Sequence, residues 1–133
     1  MKPFHIEIAT PDGLCYDGEI DSLLIRTDDG DVEILAGHTD FLTTLSTGRA
    51  RIIKNGESRF ASASGGFISV SRYGVKVAAI TFEFADEIDL KRAEIAKENA
   101  ELALHSARDE RDERIAKAKL ARALNRINIA ELK

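Results

Sequence analysis

Arg122 and Arg126 stand four residues apart in a stretch without glycine or proline, so on a helix they share a face. Like charges at that spacing repel, and they call for solvent or an anion between them. Arg92 lies upstream in Ile88-Asp89-Leu90-Lys91-Arg92-Ala93. If the chain doubles back between them, Arg92 comes close to Arg122 and Arg126. Guanidinium groups bind phosphate through two parallel hydrogen bonds, a geometry that lysine does not reproduce. Asp89 and Glu83 would then accept hydrogen bonds from a base or a ribose. The plainer reading is an exposed Asp89–Arg92 pair at i, i+3, worth a few tenths of a kcal/mol, beside a solvated basic face.

Nothing comparable supports catalysis. No nucleophile elbow, metal cluster or phosphate-cradling glycine loop is present. His38 has Asp40 nearby in Ala36-Gly37-His38-Thr39-Asp40, but no nucleophile follows at a recognisable spacing. Three scattered histidines make no metal site. Gly65-Gly66 precedes a strand rather than a helix and marks a bulge or a close backbone approach. Cys15, the single cysteine, forms no internal disulfide, fits a reducing compartment and reads as a small packed residue.

The elements that must position these residues fall into two kinds. Residues 1–84 hold 12 acidic and 8 basic side chains in short β-branched runs punctuated by glycine, whereas residues 85–133 hold 11 of each. A mildly acidic first part argues against a nucleic-acid binder, whose footprint is a basic patch. No segment approaches the roughly 20 apolar residues needed to cross a bilayer, so membrane association would come only through partners.

Phe4-His5-Ile6-Glu7-Ile8 alternates as a half-buried strand, with His5 outward, and ends at the turn Pro11-Asp12-Gly13. Ile20 to Arg26, Val32 to Ile34, Leu42 to Leu45 and Ala50 to Ile53 read as further strands, the last two broken at Thr47-Gly48. Asn55-Gly56 is the strongest hairpin signal, because a type I′ turn needs positive φ at both central residues. Phe67 to Val70 and Val75 to Ile80 follow. Strands this short, eight to ten of them, indicate an antiparallel β-sandwich or a flattened barrel.

Beyond Asp86 the period becomes helical. Ile88, Ile95 and Leu102 recur at sevens beside Ala96, Ala100, Ala103 and Ala107, and a second stripe joins Ala116, Leu120, Ala123, Ile127 and Ala130. Both are narrow and rich in alanine, which suits a close antiparallel pair. Asp86, Glu87 and Asp89 favour a helix N-terminus. Ser106-Ala107-Arg108-Asp109 offers a loose capping box for a second helix, yet no Gly or Pro enforces a stop. A hairpin and a single helix on the order of 65 Å long are both permitted at 1.5 Å per residue. The charged run from Arg108 to Arg114 reads as a solvated face.

Taken together, Asp28-Asp29-Gly30-Asp31-Val32-Glu33-Ile34-Leu35-Ala36-Gly37-His38-Thr39-Asp40-Phe41-Leu42 and Ile88-Asp89-Leu90-Lys91-Arg92-Ala93 resemble the epsilon subunit family of bacterial F-type ATP synthases over the whole chain. Many members have Pro where Ala36 stands. The resemblance implies an α+β protein: a ten-stranded sandwich over residues 1–84, docked to the gamma subunit and the c-subunit ring, and a two-helix hairpin over 85–133. It implies a noncatalytic central-stalk subunit on the cytoplasmic face of the bacterial membrane, peripheral and held there by partners. The helices either fold on the sandwich or extend toward the alpha/beta catalytic ring and hinder ATP hydrolysis, which makes the joint at residues 84–86 a hinge.

No cofactor is required, but several members bind ATP as a regulatory ligand. By matching the motif and its offsets, that role falls to Glu83, Ile88, Asp89, Arg92, Ala93, Arg122 and Arg126. Asn99 occupies a place where some ATP-binding members carry a further arginine. Asp31, Glu33 and His38 are the matching candidates for the subunit interface, with a loop-bracing histidine as the plainer reading of His38. A free-standing ATP-sensing module is the alternative function, and a small hydrolase fares worst.

Overall fold

The computed structural model describes residues 2–132. Nine strands precede two helices: β1 (Phe4–Thr10), β2 (Gly13–Ile20), β3 (Ser22–Thr27), β4 (Gly30–Ile34), β5 (Phe41–Lys54), β6 (Glu57–Ser64), β7 (Phe67–Ser71), β8 (Gly74–Ala78) and β9 (Thr81–Phe84), then α1 (Leu90–His105) and α2 (Glu110–Ala130). A 3₁₀ turn, Ala85–Glu87, joins the two parts.

The strands form two layers that share β5. One layer runs β2-β1-β8-β7-β5 and the other β4-β3-β5-β6-β9. Pairing is antiparallel except between β1 and β8, which run parallel. The expected break at Thr47-Gly48 is therefore not an end of a strand. The Phe41–Thr44 half of β5 pairs with β7, and the Gly48–Lys54 half pairs with β6. The chain changes layer there without leaving extended conformation.

Alternation places Ile6, Ile8, Ile20, Leu23, Ile25, Ile52, Ile68, Val75 and Val77 between the layers, each nearly or fully buried. The Asn55-Gly56 turn has φ of 52° and 79°, as its type requires. Gly66 makes the close approach expected of the Gly-Gly pair: its φ is 86°, and a Cβ there would overlap the Ala78 carbonyl oxygen.

One strand was not expected, and one expectation needs correction. β2 carries no apolar alternation to announce it, because it is an edge strand exposed along most of its length. Cys15 is exposed rather than packed. It is the extra residue of a β-bulge, since Ile8 pairs with Tyr16 and Ala9 with Leu14, leaving Cys15 without a partner in the ladder.

The helices form an antiparallel hairpin. Ser106 ends α1, and Asp109, not Ser106, caps α2: its carboxylate accepts from the Asp112 N–H at 2.8 Å. A cap three residues later suffices to stop and restart the helix without glycine or proline. The seam follows the expected alanine stripes at Ala100, Ala116, Ala123 and Ala130, with Ala93 added and the apolar repeat at Ile95 and Leu102 turned outward. Ala93, Ala100, Ala116, Ala123 and Ala130 are buried, while Ile95 and Leu102 are 54% and 66% exposed. Both patterns repeat at sevens on α1, and the smaller one wins because methyl groups let the backbones approach more closely.

Candidate functional site

β6 and β9 pair in register Ser62↔Glu83, and Arg49 of β5 lies opposite Ser62. Across an antiparallel sheet these three share a face. Their neighbours Ala61 and Ala63 point into the core, so the row Arg49–Ser62–Glu83 points outward, and α2 lies over it. Adjacent residues of α2 engage the row. Asn125 Nδ2 donates to the Gly48 carbonyl at 2.9 Å and to Ser62 Oγ at 2.8 Å. Arg126 Nη2 donates to Glu83 Oε2 at 3.1 Å, with Nε 2.7 Å from Oε1.

Between this row and the two helices lies a groove of about 440 Å³. Glu83, Arg122 and Arg126 line it, as do Ser62, Thr81, Asn99 and Lys119. Lys119, Arg122 and Arg126 follow one another at i, i+3 and i+7 on one face of α2. With Glu83 as the one carboxylate of the lining, the groove is cationic and suits an anionic guest.

The remaining residues of the candidate set lie elsewhere. Ile88 packs in a small cluster with Ala85, Ile129 and Ala130, edged by Phe60. Asp89 is the N-cap of α1, its Oδ1 accepting from the Arg92 backbone N–H at 3.1 Å. Ala93 is fully buried. Arg92 is exposed and does not line the groove. Three positions of the motif thus anchor, cap and seat the first helix in this conformation. Doubling back does bring the start of α1 to the end of α2, as the Ile88–Ile129 cluster shows, but the Arg92 side chain stands outside.

The joint between the two parts has its own clasp. The Arg59 guanidinium carbon sits 3.6 Å from the centre of the Phe84 ring, and its Nη2 is 3.7 Å from Asp86 Oδ1.

Sequence reasoning missed Lys119, Ser62, Thr81 and Asn125. Lys119 was legible as the i−3 neighbour of Arg122. Ser62 and Thr81 needed the strand register, and Asn125 the docking of α2 on the sheet, neither of which a local pattern supplies.

The three interface candidates separate. Asp31 pairs with Arg26, Nε to Oδ1 at 2.5 Å, and that hydrogen bond first, then the charge, holds the Asp31 carboxyl below its ordinary value. Glu33 accepts from Ser22 Oγ at 3.3 Å. His38 Nδ1 is 2.8 Å from the Thr39 carbonyl, so that nitrogen carries the proton, and the ring packs on Phe41 at 5.2 Å between centroids. His38 lines a cleft of about 600 Å³ together with Asp40, Arg72 and Tyr73. Asp31 and Glu33 are not part of its lining.

Among the described residues there is no group of His, Cys, Asp and Glu able to hold a metal, and no helix long and apolar enough to cross a membrane.

Comparison with known proteins accounts for both parts. Residues 3–85 match the beta-sandwich domain of the ATP synthase delta/epsilon chain, and residues 86–131 match its long alpha-helix domain. The ATP synthase epsilon chain of Bacillus velezensis is 39% identical over 130 residues, covering 98% of each chain. That of Chloroflexus aggregans is 40% identical over 130 residues, covering 98% of this chain and 94% of its own. A chain in the cryo-EM structure of the Euglena gracilis mitochondrial ATP synthase OSCP/F1/c-ring has the same fold, with a TM-score of 0.80 at 23% identity over 98% of this chain and 82% of that one. One in the Tetrahymena thermophila central stalk and c-ring gives 0.67 at 13% identity, covering 95% of each. With both domains matched in order and relatives of this identity along its length, the chain belongs to the ATP synthase delta/epsilon family, as an epsilon chain.

Proposed function

We propose that the protein is a noncatalytic subunit of the rotating central stalk, with the β-sandwich as its docking part and the hairpin as its regulatory part. The sandwich contacts the gamma subunit and the c-subunit ring, with the His38 loop at the ring-facing end and Asp31 and Glu33 meeting basic groups on gamma or the ring. The hairpin restrains ATP hydrolysis when it leaves the sandwich and extends along gamma toward the alpha/beta ring. The subunit lies on the cytoplasmic face of the membrane, held by its partners. The observation that carries this reading is the match of both domains, in family order, to epsilon chains along the whole length.

ATP is the proposed regulatory ligand of the groove. Support comes from the cationic face of Lys119, Arg122 and Arg126 opposite Asn99, with Ser62 and Thr81 as neutral partners. A triphosphate there would bridge α2 to the sandwich and keep the hairpin folded.

The test is assembly followed by truncation. The chain should co-purify with gamma, and an enzyme assembled with residues 1–85 alone should hydrolyse ATP faster than one with the full chain. Unchanged hydrolysis would remove the regulatory half of the proposal, and failure to bind gamma would remove the stalk half and leave a free-standing ATP sensor.

A further inference from the structure

Outside the alanine seam, the docked hairpin touches the sandwich through little apolar surface. The cluster of Ala85, Ile88, Ile129 and Ala130 is small and lies at the joint. Further along α2, the contact is polar and centres on Asn125. Gly48 falls in the stretch of β5 between Leu45 and Ala50, opposite which pairing with β3 shifts register. On its other side Gly48 is in register with Ala63 of β6, and where the β3 ladder is interrupted its carbonyl is open to a donor from outside the sheet. Asn125 Nδ2 supplies it at 2.9 Å and reaches Ser62 Oγ at 2.8 Å. Because a carbonyl only accepts, the amide nitrogen, not its oxygen, must face Gly48. Ser62 is 4% exposed, lines the groove and is the register partner of Glu83.

We propose that Asn125 is the positioning latch that fixes α2 to the sandwich and thereby sets the neighbouring Arg126 over Glu83 in the groove. Asparagine is a poorer helix former than alanine, so its place here is explained by its two donated bonds rather than by the helix. The latch also ties docking to the groove, since one of its two acceptors is a wall of that groove. Ser62 Oγ accepts from Asn125 and keeps its own proton to donate. An anionic guest that takes that proton leaves the latch closed, whereas a guest that donates to the Ser62 oxygen competes with Asn125 and loosens the hairpin.

The experiment is amide hydrogen exchange on the full chain without nucleotide or partners, comparing wild type, Asn125→Ala, Asn125→Asp and Ser62→Ala. The proposal expects exchange over residues 123–130 to rise about tenfold in Asn125→Ala, as the loss of two such bonds would give, with β1 and β8 amides unchanged. Asn125→Asp, isosteric but without the donor, should open α2 at least as far. Ser62→Ala should act partially alone and add nothing to Asn125→Ala.

A surface residue with only a helical role predicts the opposite sign, because alanine strengthens the helix; slower or unchanged exchange in Asn125→Ala would overturn the latch, as would additivity with Ser62→Ala. The latch deepens the reading of the hairpin as a mobile part but is tested without the assembled enzyme. If exchange is unchanged while truncation still releases hydrolysis, the latch falls and the regulatory reading stands.

Discussion

Arg126 and Glu83 form an ion pair across the interface between hairpin and sandwich, with Nε 2.7 Å from Oε1 and side chains 21% and 32% exposed. Any anion that enters the groove meets an arginine already neutralised, beside Arg122, which has no ion-pair partner among the described residues. Removing Arg126 leaves a half-buried carboxylate alone. Arg126→Ala should therefore cost about 1–2 kcal/mol of stability, and Glu83→Gln less, measured by urea unfolding.

The same groove gives a ligand prediction. ATP at millimolar concentration should raise the melting temperature of the full chain, and Arg122→Ala or Arg126→Ala should abolish the rise. Arg92→Ala separates two geometries: a retained shift places the phosphates in the observed groove, and a lost one means that Arg92 swings in. A melting curve indifferent to ATP in the wild type would dismiss the nucleotide altogether.

The alanine seam sets a steric limit. Ala100→Leu or Ala123→Leu should part the helices, at a cost of about 1–3 kcal/mol from overpacking. Ile95→Ala, on the outer face, should change stability by less than about 0.5 kcal/mol. Helical circular dichroism followed through thermal unfolding would read both, and a tolerated Ala100→Leu would mean that the seam is looser than its burial implies.

Two aspartates make the sandwich sensitive to acid. The hydroxyls of Ser46 and Thr44 donate to Asp28 and hold its carboxyl below the ordinary value of 3.8, and the Arg26 hydrogen bond does the same for Asp31. A depressed folded value means that the unfolded chain binds more protons, so this stabilisation is present above pH 3.8 and fades as pH falls through the lower folded values. Carboxyl titration by NMR should show Asp31 move upward in Arg26→Ala and Asp28 move upward in Ser46→Ala, each without the other.

The strands with a buried face were legible because alternation and turn chemistry agree, as in Arg51 to Ala61 around Asn55-Gly56. β2 was not, because an edge strand buries too little to leave a pattern. Asp89 was recognised as a helix-start residue, and its carboxylate does cap α1. The seam was legible in part: Ala100, Ala116, Ala123 and Ala130 stood in the expected alanine stripes and are buried. Ile95 and Leu102, however, share the period of Ala93 and Ala100, and only the distance between helices turns the former outward. Half of the groove could be read from the arginine spacing on α2. Of its floor, Glu83 was named through the family resemblance, but Ser62 was not, since the two become neighbours only through the register of β6 and β9.

β5 has a mechanical consequence. Its two halves are hydrogen-bonded into different layers, so sliding one layer over the other must stretch or bend a single covalent chain against ladders at both ends. The sandwich therefore resists shear as one stiff block. Twist applied at its partner-facing end reaches the hairpin joint with little loss to internal deformation, which is the property required of a part that turns with a shaft.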